Sequence, residues 1–165
     1  MKPRLAWQVR EFTDRPRARP ARRSGMESRL DAPTAQELQK RRVLVVEDDA
    51  DSAELLGFLL EHAGYQTHVA RSAAAALEAA PVLQPHVALI DIGLPGVNGY
   101  ELAALLRAEP LLKNCRLVAT TGHSGRDAIA RSLASGFDAH LTKPLDRAAV
   151  LAAVGEVTLS ERAAL

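Results

Sequence analysis

Short apolar runs, each followed at once by a polar side chain, divide the middle of this chain. The runs are rich in Val, Leu, Ile and Ala, which is typical of strands buried on both faces of a parallel sheet. Longer segments with apolar residues at helical spacing separate them. This alternation predicts an α/β domain of strand–helix units joined by right-handed crossovers. The runs are Val43–Val46, Val87–Ile90, Leu117–Thr120 and Ala139–Thr142.

The intervening segments predict the remaining elements and bring the number of strand–helix units to five. A second strand is predicted at Gln66–Ala70. Caps and helix breakers set the predicted ends of the helices, with glycine closing two of them and proline another. The predicted helices end at Ala63 before Gly64, run from Ser72 to Ala80 before Pro81, and then span Tyr100–Glu109, about Gly125–Ser135 and Asp146–Val157.

Charged and hydroxyl side chains follow four of the strands. They are Glu47 and Asp48, Asp91, Thr121 and Lys143. Because ligands bind outside the carboxyl ends of the strands in an open α/β sheet, we expect these side chains to share one edge. Three carboxylates repel one another unless a cation lies among them, and carboxylates with water suit Mg²⁺. A lysine and a threonine beside that site would suit a phosphoryl group.

Four motifs carry these side chains in a fixed order along the chain. They are Val45–Asp49, Leu89–Tyr100, Ala119–Gly122 and Leu141–Leu145. Together they resemble the receiver domain of bacterial two-component response regulators, over roughly residues 42–154. The resemblance implies a flavodoxin-like, doubly wound (βα)5 fold with a five-stranded parallel sheet in the order 2-1-3-4-5. It also implies a protein that is not an enzyme but a phosphoacceptor that assists its own phosphorylation and dephosphorylation.

The resemblance implies a role for each residue of the acidic cluster. Asp91 aligns with the phosphoacceptor, which also binds the metal. Asp48 aligns with the direct ligand of Mg²⁺ (or Mn²⁺), and Glu47 with the acid that acts through a metal-bound water. Gly93 would supply its backbone carbonyl as the third protein ligand, and it occupies a position that tunes dephosphorylation.

The resemblance also implies roles for the residues around the acidic cluster. Lys143 would place its ammonium on the phosphoryl oxygens and on the Asp91 carboxylate, and its bond to Pro144 would be cis. Thr121 would move toward a new phosphate, and His140 would turn inward with it as the second switch residue. The alternative for His140 is an exposed histidine without a role. His123 occupies a second position that tunes dephosphorylation.

Composition limits the class of protein. The chain has 165 residues, of which 47% are apolar and 25% charged, as expected for one globular domain. Cys115 is the single cysteine, so no intramolecular disulfide forms, and we expect it to be a buried small hydrophobe. No apolar run approaches the length of a membrane span, and the basic amino terminus lacks a secretory h-region. We therefore expect a cytoplasmic protein with no membrane partner.

The near-neutral net charge conceals two segments of opposite net charge. Residues 1–42 hold 12 Lys and Arg against 5 Asp and Glu, whereas residues 43–165 hold 9 against 15. The basic segment is rich in Arg and Pro and lacks a sustained helical or strand periodicity, so we expect residues 1–41 to be a disordered arm. The predicted receiver domain then spans residues 42–157, and a tail spans residues 158–165. The arm could be a linker, or could lie upstream of a true start at Met26.

These features favour a single-domain response regulator. A histidine kinase or a histidine phosphotransfer protein would phosphorylate Asp91, and phosphorylation would change the binding of an output protein. The output face would be built from the fourth helix, fifth strand and last helix, and it could also form a phosphorylation-dependent homodimer. The sequence names neither the kinase nor the target, nor the signal. Polar residues expected on that face are Arg126, Arg131, Asp138 and Arg147.

Three other hypotheses remain open at this point. The chain could be the detached receiver of a hybrid histidine kinase. It could be a regulated nucleic-acid-binding protein that uses the basic arm, although no aromatic residues interleave the basic run and nucleic acid is the less favoured partner. A Mg²⁺-dependent phosphohydrolase is less favoured still, because Ile92–Gly93 supplies no second acid after Asp91.

Overall fold

Five parallel strands form a single sheet in the order β2-β1-β3-β4-β5, as predicted. The computed structural model describes residues 41–123 and 125–155. Each strand is followed by a helix, so the five strand–helix units of the sequence are all present. The strands are β1 Arg42–Val46, β2 Gln66–Ala70, β3 Val87–Asp91, β4 Arg116–Thr121 and β5 Ala139–Thr142. The helices are α1 Ala50–His62, α2 Ala73–Leu83, α3 Gly99–Ala108, α4 Arg126–Ala134 and α5 Arg147–Gly155.

Helices cover both faces of the sheet, which explains why its central strands are continuously apolar. In β1 the side chains of Leu44 and Val46 join the core beneath α2 and α3. The alternate residues Val43 and Val45 join the core beneath α1 and α5. All four residues of this run are at most 1% exposed. Burial on both faces removes the polar alternation of a half-exposed strand, as the sequence predicted.

The boundary of α2 differs from the prediction. Pro81 lies inside this helix, which continues to Leu83 and ends at Gln84 in a left-handed conformation. The side chain of Arg42 accounts for the extra turn. Its Nε donates to the carbonyl of Leu83 at 2.6 Å, and its Nη2 donates to that of Gln84 at 2.9 Å. These bonds satisfy carbonyls that the end of a helix leaves without partners.

Two further features differ from the sequence prediction. Arg41, which was assigned to the arm, is 8% exposed and donates to the carbonyl of Val154 at 3.1 Å, so the folded domain begins at least one residue earlier. A 3₁₀ turn at Pro110–Leu112 was not predicted. The described part of α5 ends at Gly155. Most of the predicted arm and the whole predicted tail lie outside the described residues.

One general expectation from composition is met within the described residues. Cys115 is buried, at 4% exposure, and belongs to the apolar core, as expected for a small hydrophobe. None of the described helices is both long and apolar enough to cross a membrane.

A close contact between α3 and β3 fixes the loop that follows Asp91. Asn98 caps α3 by accepting from the backbone N–H groups of Tyr100 and Glu101. The first residue of the helix, Gly99, then packs directly on the end of β3. A Cβ atom at Gly99 would lie 2.5 Å from the carbonyl oxygen of Asp91. Only glycine allows the helix to approach the strand so closely.

Replacing Gly99 with Ala should therefore destabilise the domain. The new methyl group would overlap backbone atoms, which cannot rotate away, and overpacking of this kind costs about 1–3 kcal/mol. Thermal melting should show a lower midpoint for Gly99→Ala. Gly122→Ala is the matched control, because none of the described atoms lies within 4 Å of its Cβ position. Equal midpoints for Gly99→Ala and the parent would contradict the close contact.

Candidate functional site

Three carboxylates meet at the carboxyl edge of the sheet. Glu47 and Asp48 follow β1, and Asp91 ends β3, the strand beside it. One carboxylate oxygen from each lies within 4.8 Å of the others. Glu47 and Asp91 are buried, whereas Asp48 is the most accessible of the three. The parallel pairing of β1 with β3 therefore brings together acids that are more than forty residues apart.

The donor set of this cluster fits Mg²⁺. The cluster offers oxygen ligands only, and Mg²⁺ prefers oxygen ligands while keeping several of its waters. Asp48 and Asp91 are the residues expected to bind the ion directly, and Glu47 is expected to act through a metal-bound water. The accessibility of Asp48 leaves room for water on its side of the cluster. The site is therefore suited to a partly hydrated hard cation.

The ammonium of Lys143 lies between two of the acids. Its Nζ donates to Glu47 Oε2 at 2.8 Å and to Asp91 Oδ2 at 2.9 Å. Lys143 directly follows β5, at the far side of the sheet from β1. The contact with Asp91 was anticipated from the sequence. The contact with Glu47 was not, because that residue was expected to act on the metal through a water.

Burial and the lysine have opposite effects on the pKa of Glu47. Burial raises the pKa of Glu47, and the hydrogen bond from Lys143 offsets part of that rise, while the nearby charge of Asp91 adds to it. Burial lowers the pKa of Lys143, but the bonds to Glu47 and Asp91 more than compensate, so its pKa is raised. The lysine thus stays charged because both acids face it.

The hydroxyl of Thr121 is held by its own loop. Thr121 ends β4, is 3% exposed, and accepts a hydrogen bond on Oγ1 from the backbone N–H of His123 at 3.1 Å. The carbonyl of Thr121 accepts from the backbone N–H of Lys143 at 2.7 Å. The threonine and the lysine are therefore linked through neighbouring strands. Movement of Thr121 as a switch residue remains a prediction.

His140 lies beneath α4 and is half-buried rather than exposed. Its Nδ1 lies 3.0 Å from the hydroxyl of Ser132, which is itself fully buried and also contacts the carbonyl of Ala128 at 2.9 Å. The Nε2 atom is buried and makes no hydrogen bond within the described residues. Burial lowers the pKa of His140. His140 is therefore not an exposed side chain, and its role as the second switch residue remains a prediction.

The remaining predicted site residues occupy the loops around the cluster. The backbone N–H of Gly93 donates to Asp91 Oδ1 at 3.0 Å, so the glycine contacts the carboxylate that is predicted to be the phosphoacceptor. Its role as a metal ligand through the carbonyl remains a prediction. His123 is exposed at the rim, and its effect on dephosphorylation also remains a prediction. The peptide bond between Lys143 and Pro144 is cis.

Two residues of the predicted output face already contact other residues within the domain. Asp138 pairs with Arg107 and accepts the backbone N–H of Leu117 at 2.7 Å. Arg131 lies over the ring of Tyr100, 4.3 Å from its centroid. Both residues therefore tie neighbouring elements together. Arg126 and Arg147 are exposed and remain the candidates for contact with a partner.

The acidic residues that follow Asp48 are not part of the cluster. Asp49 caps α1 by accepting the backbone N–H of Ser52 at 2.9 Å. That backbone bond lowers the pKa of Asp49. Asp51 lies in the first turn of the same helix, where a negative charge is favoured.

Two residues that the sequence did not single out also contact the site. Gly99 packs on the backbone of Asp91, and the close approach could have been suspected from the glycine at the start of a predicted helix. Arg71 follows β2 and donates to the carbonyl of Asp48. Nothing in the local sequence pattern around Arg71 predicts that contact, because its acceptor is 23 residues away.

Comparison with protein families agrees with this arrangement. Residues 43–155 match the family model of the response regulator receiver domain. The chain is 35% identical over 105 residues to the DNA-binding response regulator MtrA of Mycobacterium tuberculosis. That match covers 64% of this chain and 45% of MtrA, so the chain spans less than half of this relative.

Solved structures give the same result. The signal receiver domain of a signal transduction histidine kinase from Syntrophus aciditrophicus is 31% identical, with a TM-score of 0.63. The match covers 69% of this chain and 86% of that one. The chemotaxis protein CheY4 of Vibrio cholerae has a TM-score of 0.68 and covers 72% of this chain and 98% of its own. At 23% identity, this second likeness concerns the fold alone.

Neutralising Asp48 should stabilise the metal-free protein. Lys143 pairs with the other two acids, while Asp48 forms no ion pair within the described residues. Removing its charge relieves repulsion on the order of 1 kcal/mol. Asp48→Asn should therefore melt at a higher temperature in EDTA, and the rise that Mg²⁺ causes in the parent should disappear.

Glu54→Gln is the control for this measurement. Glu54 is an exposed acid on α1, away from the cluster. Its loss should leave both the melting temperature in EDTA and the response to Mg²⁺ close to those of the parent. If Asp48→Asn and Glu54→Gln have the same melting temperature in EDTA, the three acids do not repel one another.

Proposed function

The chain belongs to the response regulator receiver domain family, and we propose that it is a switch driven by phosphorylation of Asp91. The observation that carries this proposal is the pairing of Lys143 with Asp91 beside two further acids. A histidine kinase or a histidine phosphotransfer protein would supply the phosphoryl group. The protein then acts as a phosphoacceptor that assists the transfer, and not as an enzyme that turns over a separate substrate.

The attack by Asp91 requires a carboxylate held in place and a neutralised phosphoryl group. One oxygen of Asp91 accepts from the N–H of Gly93 and the other from Lys143, which orients the carboxylate. An oxygen of Asp91 forms the new bond to phosphorus, while the bond from phosphorus to the donor's histidine nitrogen breaks. When bound, Mg²⁺ neutralises charge on the phosphoryl oxygens. Lys143 would follow one of those oxygens and leave its bond with Asp91.

Phosphorylation of Asp91 would change the contacts of Lys143. In the described state the ammonium serves both Glu47 and Asp91. A phosphoryl group on Asp91 adds negative charge beside Lys143, so the lysine gains an acceptor and keeps Glu47 within reach. This gives Glu47 a role that does not depend on a metal-bound water.

We assign the switch itself to Thr121 and His140. The hydroxyl of Thr121 would turn toward the phosphoryl oxygen, which vacates space near His140. His140 is already packed under α4 through Ser132, so a change in its position would be felt by that helix. The output face on α4, β5 and α5 would then bind a partner protein or a second copy of the chain.

The likeness to a receiver domain of a histidine kinase supports a second candidate output. In that case the chain would act as the receiver portion of a hybrid kinase and pass its phosphoryl group to a phosphotransfer histidine. The structural match at 31% identity favours this alternative. The chemistry at Asp91 would be the same, and only the fate of the phosphoryl group would differ.

The first prediction of this proposal concerns the phosphoacceptor. With acetyl phosphate and Mg²⁺, intact-mass spectrometry should show one phosphoryl adduct. Asp91→Asn removes the nucleophile and should abolish the adduct. Asp127→Asn, an exposed acid on α4, should form it normally. An adduct that persists in Asp91→Asn would mean that another residue accepts the phosphoryl group.

A further prediction separates phosphorylation from its transmission. Thr121→Ala leaves the nucleophile, the lysine and the acids in place, so the variant should still accept a phosphoryl group. The lost hydrogen bond to a charged group contributes about 1.5–3 kcal/mol, which corresponds to a population shift of roughly one to two orders of magnitude. Amide shifts around His140 should therefore respond less to beryllofluoride. Shifts equal to those of the parent would rule out the hydroxyl as the coupling element.

A further inference from the structure

The side chain of Arg71 connects two loops at the carboxyl edge of the sheet. Arg71 lies between the end of β2 and Ser72, which caps α2 by accepting the N–H of Ala75 at 3.1 Å. Its guanidinium reaches the loop after β1. There Nε and Nη2 both donate to the carbonyl oxygen of Asp48, at 3.1 and 2.5 Å. The base of this arginine is therefore fixed by a strand and a helix cap.

The backbone on either side of Asp48 is also held. The N–H of Glu47 donates to the carbonyl of Ala70, the residue before Arg71, at 3.2 Å. The carboxylate of Asp49 is engaged in capping α1. Between these two held residues, Arg71 donates hydrogen bonds to the carbonyl of Asp48 itself. The peptide group that carries this candidate metal ligand is thus tied to the neighbouring loop by a planar fork with two donors.

We propose that Arg71 is a positioning residue for the metal site. It holds the main chain of Asp48 so that the Asp48 carboxylate faces Asp91. This inference rests on the proposed function, since it requires Mg²⁺ at the acidic cluster. A residue that orients a metal ligand acts through geometry, and losing such support weakens metal binding. Arg71 touches neither the cation nor the reacting atoms in this role.

The charge of Arg71 acts against its proposed role, and this opposition makes the inference testable. A guanidinium near the cluster repels an incoming cation through space. If Arg71 acted only through its charge, removing it would tighten Mg²⁺ binding. If it acts by positioning Asp48, removing it weakens binding in spite of the relieved repulsion. The sign of the change therefore distinguishes the two roles.

The test is a calorimetric titration of Mg²⁺ into the full chain and three variants, without any phosphodonor. In Arg71→Ala we expect the Kd for Mg²⁺ to rise about tenfold, at the low end of the effect of losing support for a metal ligand. Arg71→Lys keeps the charge but loses the fork, so its Kd should lie between those of Arg71→Ala and the parent. Lys113→Ala removes a positive charge at the opposite edge of the sheet and should bind Mg²⁺ as the parent does.

Melting in EDTA accompanies each titration and identifies a purely structural role. A lower melting temperature of Arg71→Ala with an unchanged Kd would overturn the proposal, as would a Kd below that of the parent. A Kd of Arg71→Lys equal to that of the parent would overturn the role of the paired hydrogen bonds. Failure of the parent itself to bind Mg²⁺ would instead overturn the proposed function, and the inference with it.

Discussion

The ion pairs of Lys143 are the interaction on which the site depends. Glu47 and Asp91 are almost completely buried and lie close together, so two adjacent negative charges are withdrawn from water. Burying such charges costs several kcal/mol each unless they are paired and hydrogen-bonded. A single ammonium meets this need for both acids. It also leaves the carboxylate of the third acid, Asp48, without an ion pair among the described residues, and this is the charge that a metal would balance.

The parallel sheet brings these charged groups together. An ammonium after β5 meets a carboxylate after β1, across the ends of β3 and β4, because all strands run in one direction and end at the same edge. The functional side chains then leave the sheet at one edge, while the helices cover the apolar faces. The contact of Gly99 with the end of β3 brings α3 tightly against the loop after Asp91. Stability of the domain and geometry of the site are therefore set by the same strand ends.

The sequence predicted those parts of the structure that depend on local patterns. The four apolar runs, their order and the polar residue after each predicted the sheet and the edge at which the site lies. Three contacts between residues distant along the chain were not predicted. The end of α2 depends on Arg42, which is 41 residues away. The bond of Lys143 to Glu47 and the bond of Arg71 to Asp48 have the same origin, since neither a helical nor a strand period relates their partners.

The bond between His123 and Thr121 limits how the proposed switch can work. The Thr121 hydroxyl accepts the N–H of His123, and a hydroxyl has one hydrogen to donate and two lone pairs to accept with. It could therefore donate to a phosphoryl oxygen without losing His123. In that case Thr121 and His123 would move together, and the loop after β4 would transmit the change to α4 as one unit. The net gain on switching would then be the new bond to the phosphoryl group less the cost of moving that loop, because the bond to His123 would be kept.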